Sequence, residues 1–420
     1  MIAKVALRNM AHKPLNTVLS LLLLTAGVGI ITLLILLERQ FEKQFSGNLD
    51  NIDLVMGAKG SPLQLILSSV YQMDAPTGNI PYTEALSYME NPFAQSAVPL
   101  AYGDNYRGFR IVGTVPKYAE LYGEGLKSGK MFSRPGEVVA GFQAAQKLGL
   151  KLGDTFRGSH GSDHGGEVHE EGAYTVVGIA KESGKVIDNL LLCDVPTVWQ
   201  MHGHQHVGET EDAHGDEAHR HDEHAHEDES HGHVDETDTR EITAVLFKIR
   251  NKMALVTWPR MVSSQTSMQM ASPAVEVNRL FTLFGFGLTA LRYMAYGIML
   301  ISAISIFVAL FSTLRERKYE FALMRISGAG RGQMLALVLV EAMLLCVTGF
   351  ILGTALGRIG LLLISRATEA EYKISFDPFA FVWGQEGLLF AATLGIGILS
   401  ALIPALMAYR LNISKTLANA

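Results

Sequence analysis

The stretch LRERKYEFALMRISGAG, residues 314–330, decides the fold. It joins two apolar runs yet carries Arg315, Glu316, Arg317, Lys318, Glu320 and Arg325. Each such charge at the centre of a bilayer costs at least about 2.5 kcal/mol, so the stretch cannot lie within lipid. It reads as a short polar elbow at a membrane face. Its charged residues are interleaved with Tyr319, Phe321, Leu323, Met324 and Ile326, the pattern of a short amphipathic helix, which Ser327, Gly328, Ala329 and Gly330 then break.

Working outward, four runs are long enough to cross a hydrocarbon core about 30 Å thick, which needs about 20 apolar residues. They are residues 15–37, 293–314, 334–357 and 388–409. Mean hydropathy is +0.20 while 18% of residues are charged, so spans coexist with a substantial water-soluble part. The spacing predicts a membrane protein of four transmembrane α-helices with a large α+β domain inserted between the first and second. In order, these are a basic N-terminal helix (1–14), the first span (15–37), the outer domain (38–292), the second span (293–314), the elbow (315–333), the third span (334–357), an outer loop (358–387), the fourth span (388–409) and a tail (410–420).

Lys4, Arg8 and Lys13 precede the first span, Arg315 to Arg331 fill the elbow, and Arg410 and Lys415 follow the fourth. Basic residues gather on the cytoplasmic side, so the large domain faces outward, into the periplasm of a cell with an outer membrane. The expected location is the bacterial inner membrane. The first span is too long for a signal peptide, and no A-x-A-like cleavage site follows it, so it reads as a retained anchor. Cys193 falls in the outer domain and Cys346 in the third span, which implies no disulfide framework.

The elbow, ERKYEFALMRISGAGRGQML, followed by Glu341 and by Gly349, Gly353 and Gly357, closely resembles the signature of the FtsX/MacB-type permeases, the type VII ABC transporter family. Glu316, Arg317, Glu320, Ala322, Arg325, Gly328 and Ala329 occupy the places of its E-R-x-x-E-x-A-x-x-R-x-x-G-A pattern. The resemblance continues through Gly113, Tyr118, Leu126, Gly129 and Phe132, then VVAG at 138–141, LG at 148–149 and GD at 153–154. The N-terminal LRNMAHKPLNTVLSLLLL and the C-terminal LIPALMAYRLNISKTL are also similar, except that Ile413 stands where proline is usual.

The resemblance implies a homodimer that binds cytoplasmic ABC ATPase subunits through the elbow as a coupling helix. The sequence lacks GxxxxGK[ST], and the nearest string, residues 125–131, has neither the spacing nor the Ser/Thr. ATP would therefore act only through a partner subunit, and the chain itself is not expected to be an enzyme. Glu316, Arg317, Glu320 and Arg325 offer both signs of charge for pairs across that contact, with Phe321 and Met324 as apolar anchors and Gly328 as the break. Driving a two-state assembly from about 1:99 to about 99:1 takes about 5.5 kcal/mol of differential binding, within reach of two closing ATPases. By analogy with the family, that motion works on a periplasmic client.

Glu341 lies about two turns into the third span and is either a coupling residue or a carboxylate hydrogen-bonded to a neighbouring helix. Gly349, Gly353 and Gly357 recur every fourth residue and present a smooth stripe for helix packing. The spans hold no histidine and no carboxylate pair, which argues against a metal-ion channel through them.

Thirteen of the fourteen histidines fall within residues 160–233. Ten of them, His202, His204, His206, His214, His219, His221, His224, His226, His231 and His233, are interleaved with Asp and Glu in an insert of about residues 200–238. The insert has too few apolar residues to offset its ordering entropy and is expected to be a disordered loop outside the core. Imidazole with carboxylate suits Zn, Ni or Cu, and the two readings are a zinc sensor or buffer and a solvated acidic tract. His160, Asp163, His164, Glu167 and His169 form a second group of the same kind.

Strands are expected near residues 108–115, 137–141, 174–180 and 243–249, with a helix over 142–150. Leu63, Ile66, Leu67, Val70 and Tyr71 have helical spacing and either fill the domain core, face the membrane surface or a dimer mate, or grip an apolar or lipidated client. Residues 275–291 continue a helical pattern into the second span, giving one long helix, a lever for transmitted motion. Two functions stay open: an ABC-type permease acting on a peptide, lipoprotein or other envelope client, with a lipoprotein or adaptor as periplasmic partner, and a non-transporting transmembrane regulator that activates a periplasmic partner. No nucleic-acid partner is expected.

Overall fold

A computed structural model describes residue 6 and residues 14–123, 125–159, 172–203, 240–372 and 376–410. It forms two compact units, Met1–Lys43 with Phe281–Ala420, and Gln44–Leu280. The chain enters through α1 (Pro14–Ser46), which begins the first unit.

The second unit is built in chain order from β1 (Leu54–Ala58), α2 (Pro62–Ser69), β2 (Ile80–Pro81), α3 (Tyr82–Met89), β3 (Ala94–Tyr106), β4 (Phe109–Thr114), α4 (Lys117–Leu121), β5 (Leu126–Gly129), β6 (Glu137–Ala140), α5 (Phe142–Leu148) and β7 (Thr155–Phe156). It continues with β8 (Tyr174–Ala180), β9 (Leu190–Asp194), α6 (Val195–Gly203), β10 (Glu241–Ile242), β11 (Ala244–Ile249), α7 (Lys252–Gln265) and β12 (Met268–Ala271). One ten-stranded sheet runs β12-β1-β11-β3-β4-β9-β6-β8-β5, with β7 beside β8, while β10 pairs with β2. The sheet is mixed: β4 lies parallel to β9 and β6 to β8, and the other pairings are antiparallel.

Local chemistry accounts for this arrangement. In β8 the buried residues alternate, as expected of a strand with one face inward. The hairpin from β3 to β4 turns on two residues, Arg107 at φ 49° and Gly108 at φ 79°, the double positive φ of a type I′ turn that suits strand twist. Ser61 caps α2 by accepting from the Gln64 amide, and Leu65 and Ile66 on that helix are fully buried with Val70 and Tyr71 close behind. Leu65, Ile66, Val70 and Tyr71 thus lie in this unit's own interior, while Leu63 and Leu67 are partly exposed. Phe247 and Trp258 meet edge to face at 5.8 Å, in the core cluster that also takes in Ile111, Val138 and Leu191 further along the sheet. Cys193 is enclosed there, and burial pushes its thiol well above the ordinary range, so it is held as an unreactive apolar group.

The first unit resumes within α8 (Pro273–Glu316), followed by α9 (Lys318–Ile326), α10 (Arg331–Tyr372) and α11 (Trp383–Tyr409). Helices α1, α8, α10 and α11 are long and apolar enough to cross a membrane. They outrun the apolar stretches that mark them: α1 continues past Leu37 to Ser46, and α10 past Gly357 to Tyr372. At 42 residues, α10 is about 63 Å long, twice the hydrocarbon thickness. Helix α8 is unbroken over 44 residues.

Candidate coupling elbow

The elbow is a helix held between two sharp ends. Helix α8 stops at Glu316 and α9 starts at Lys318, with Arg317 at the break. The Arg317 amide donates to the Thr313 carbonyl at 3.1 Å and its own carbonyl accepts from the Phe321 amide at 3.0 Å, so one residue closes one helix and opens the next. Its Nε donates to Glu320 at 2.7 Å, and the Ser312 hydroxyl donates to Glu316 Oε1 at 3.1 Å.

The far end of α9 is closed by its glycine. The Ala329 amide donates to the Met324 carbonyl at 3.0 Å and the Gly328 amide to the Arg325 carbonyl at 3.2 Å, the paired bonds of a Schellman cap. That cap needs a left-handed residue, and Gly328 supplies it at φ 100°. Two residues on, the Gly330 amide donates to the Gln333 side chain at 3.0 Å, which caps the start of α10. The chain therefore passes from α9 to α10 in a few residues with the Gly328, Ala329 and Gly330 amides each hydrogen-bonded.

The elbow's two faces divide cleanly. Phe321 (4% exposed) and Ala322 (0%) are buried, Phe321 among Leu314, Met334 and Leu337, and Met324 packs against the same cluster. Phe321 is thus turned away from any docking partner, and the side chains that face out are Tyr319, Glu320, Leu323 and Ile326. Nearly four residues per turn place Phe321 and Arg325 toward the bundle while Tyr319, Leu323 and Ile326 lie on the opposite surface. Arg325 is half-buried and Glu316 exposed.

Glu341, on α10, is buried at 7% exposed. Arg317 also carries a buried Nη1 with no hydrogen-bond partner. Its guanidinium is tied to α9 through Glu320. The glycine stripe receives α1: a Cβ on Gly349 would come within 2.5 Å of Leu24, on Gly353 within 2.6 Å of Val28, and on Gly357 within 2.6 Å of the Gly29 carbonyl.

At the end of the bundle away from the elbow lies an ion pair that sequence reading missed. Arg358 Nη2 lies 2.9 Å from both carboxylate oxygens of Glu386, and Nη1 donates to the carbonyls of Pro378 at 2.8 Å and Ala380 at 2.9 Å. Its guanidinium carbon stands 4.2 Å from the centre of the Phe381 ring. Both side chains are nearly enclosed. The signal available beforehand was an arginine directly after one apolar run and a glutamate just before the next, opposite charges at facing helix ends.

His202 falls at the end of α6, and the other nine proposed metal ligands, His204 to His233, lie outside the described residues, as do His160, His164 and His169. Among the described residues no group of three His, Cys, Asp or Glu is placed to hold a metal ion.

Four apolar membrane helices with a mixed-sheet domain inserted between the first and second define a polytopic membrane protein of the permease type. Residues 293–413 match the family model of the FtsX-like permease C-terminal region, and residues 17–213 that of the MacB-like periplasmic core domain. The chain belongs to the FtsX/MacB-type permease family, whose members partner with cytoplasmic ATPase subunits. Solved structures similar to it include the periplasmic region of MacB from Actinobacillus actinomycetemcomitans, at 11% identity and TM-score 0.34, covering 57% of this chain and 97% of that one. Another is the extracellular domain of the noncanonic ABC-type transporter YknZ from Gram-positive bacteria, at 11% identity and TM-score 0.30, covering 52% and 98%. A third is a domain of a putative permease protein from Porphyromonas gingivalis, at 13% identity and TM-score 0.27, covering 54% and 90%. No curated protein matches the sequence.

Proposed function

We propose that this chain is the membrane subunit of an ABC-type machine in the bacterial inner membrane, with its large domain in the periplasm. ATP hydrolysis by a separate cytoplasmic subunit is received at the elbow and moves the outer domain, which exports or extracts a peptide, lipoprotein or similar envelope client. The working form is a homodimer. The observation that carries this reading is the build of α9: a capped helix between two membrane helices, inward face locked by Phe321 and Ala322, outward face free with Tyr319, Glu320, Leu323 and Ile326. A partner that grips the outward face and shifts α9 carries Arg317 with it through Glu320, and presses Phe321 on the cluster it shares with Met334 and Leu337 of α10. The stripe of Gly349, Gly353 and Gly357 passes any shift of α10 to α1 by direct contact.

The triple variant Tyr319→Ser, Leu323→Ser, Ile326→Ser tests the docking face while sparing Arg317, Glu320 and Phe321, which hold the elbow in shape. Truncating such a set costs about 3 kcal/mol of binding, so ATPase activity that co-purifies with the tagged chain drops about a hundredfold. Undiminished activity with normal membrane insertion places the docking site elsewhere. The histidine-rich residues 202–233 carry a separate part of the proposal, zinc sensing or buffering. Equilibrium dialysis of the full chain at pH 7.5, where imidazoles are mostly neutral, detects bound zinc if it holds; a chain that takes up none eliminates it.

A further inference from the structure

Between α1, α8 and α11 lies a cavity of about 560 Å³, within the usual range of about 300–1,000 Å³ for small-molecule sites. Its wall is apolar, formed by residues such as Ile31, Met299, Leu300, Leu389 and Ile396. Its polar side chains are Glu38, Arg292, Gln385 and, one turn along α8 from Arg292, Tyr296, and all stand toward the end away from the elbow. From Arg292 to Ala303 on α8, and from Gln385 to Ile396 on α11, is eleven residues, or about 16 Å of helix. That depth matches one leaflet of a hydrocarbon core about 30 Å thick. The mouth carries both signs of charge, since Arg292 Nη2 is bonded to Glu38 Oε2, and both side chains remain partly open to solvent.

We propose that this groove holds one acyl chain of a membrane phospholipid from the leaflet opposite the elbow. The lipid phosphate binds Arg292, and an ethanolamine amine, where present, binds Glu38. The depth, the apolar wall and the charged mouth each fit a lipid. A soluble apolar ligand needs no charge pair, and a peptide would need backbone partners along the wall, which these side chains do not supply. A lipid seated between α1, α8 and α11 touches three of the four spans at once, so its presence sets their spacing.

The test uses the full chain in bilayer discs of phosphatidylethanolamine and phosphatidylglycerol, doped with a phospholipid that carries a photoreactive group at mid-chain. Cross-linked peptides are mapped by mass spectrometry. Labelling is expected on the lining stretches of α1, α8 and α11. Ala303→Phe and Ala392→Phe, which put a ring into the groove, lower it about tenfold, the change expected when roughly two methylenes are denied burial. Leu402→Phe, on an exposed surface of α11 outside the groove, leaves it unchanged. Arg292→Gln lowers labelling by the probe without altering the elution volume or melting of the chain. Equal labelling of wild type and Ala303→Phe overturns the proposal, and so does a cross-link between two copies of the chain across Leu300 and Leu388, which makes the groove a protein interface.

Discussion

Glu386→Gln is expected to lower the stability of the membrane bundle by about 3 kcal/mol, because it leaves the Arg358 charge enclosed without its counter-ion. The substitution keeps the shape of the side chain, so packing changes little and the loss is electrostatic. Arg358 holds more than Glu386: its other nitrogen binds the Pro378 and Ala380 carbonyls, and the Phe381 ring covers its face. Removing the arginine therefore also frees two carbonyls, and Arg358→Met is expected to be at least as damaging. The paired variant Arg358→Met with Glu386→Gln should be milder than the sum of the single changes, since no lone charge stays buried. Melting of the purified full chain in one detergent, followed for all four proteins, measures this. A shift for Glu386→Gln equivalent to less than about 1 kcal/mol would mean that the pair is in effect solvated.

How much of this could be read beforehand depends on the kind of signal. The four spans and the inserted domain follow from hydropathy and charge alone, since lipid admits few alternatives. Helix ends do not: apolarity stops where hydrocarbon stops, whereas the backbone of α10 keeps its own hydrogen bonds as far as Tyr372. Strand β8 was legible through its alternation, YTVVGIA. Strands β1 and β9, LVMGA and LLLCD, are almost wholly buried and show no period of two, so nothing in them separates strand from short helix.

The elbow was legible as a helix but its faces were not. Phe321, Leu323, Met324 and Ile326 are apolar on more than one side of a nine-residue segment, and only the cluster of Leu314, Met334 and Leu337 reveals that Phe321 and, in part, Met324 pack inward while Leu323 and Ile326 face out. Arg358 and Glu386 stand twenty-eight residues apart and pair only because α10 and α11 return side by side. Long-range pairs of that sort leave no local pattern.

Gly353→Leu is expected to have the largest effect of any change in the glycine stripe, costing more than about 3 kcal/mol, because the helices meet there through atoms that cannot step aside. A Cβ at Gly353 would lie 2.6 Å from the Val28 Cβ and 2.9 Å from the Thr25 carbonyl oxygen, and a leucine extends further into α1. The three positions should respond differently to alanine. At Gly349 the obstacle is the far end of Leu24, a flexible side chain that can change rotamer, so Gly349→Ala should cost least. At Gly357 the obstacle is the Gly29 carbonyl, part of a helix backbone, so Gly357→Ala should approach Gly353→Ala in damage. Gly395 has nothing within 4 Å of its Cβ position, and Gly395→Ala should be neutral or slightly stabilising through helix propensity. Val28→Gly removes the Val28 Cβ, one of the two obstacles at Gly353, and should restore part of the loss in Gly353→Ala while leaving Gly357→Ala untouched. Melting of the six single variants and two pairs in one detergent decides the matter: a flat series, with Gly353→Leu no worse than Gly395→Ala, would show that α1 does not rest on this stripe.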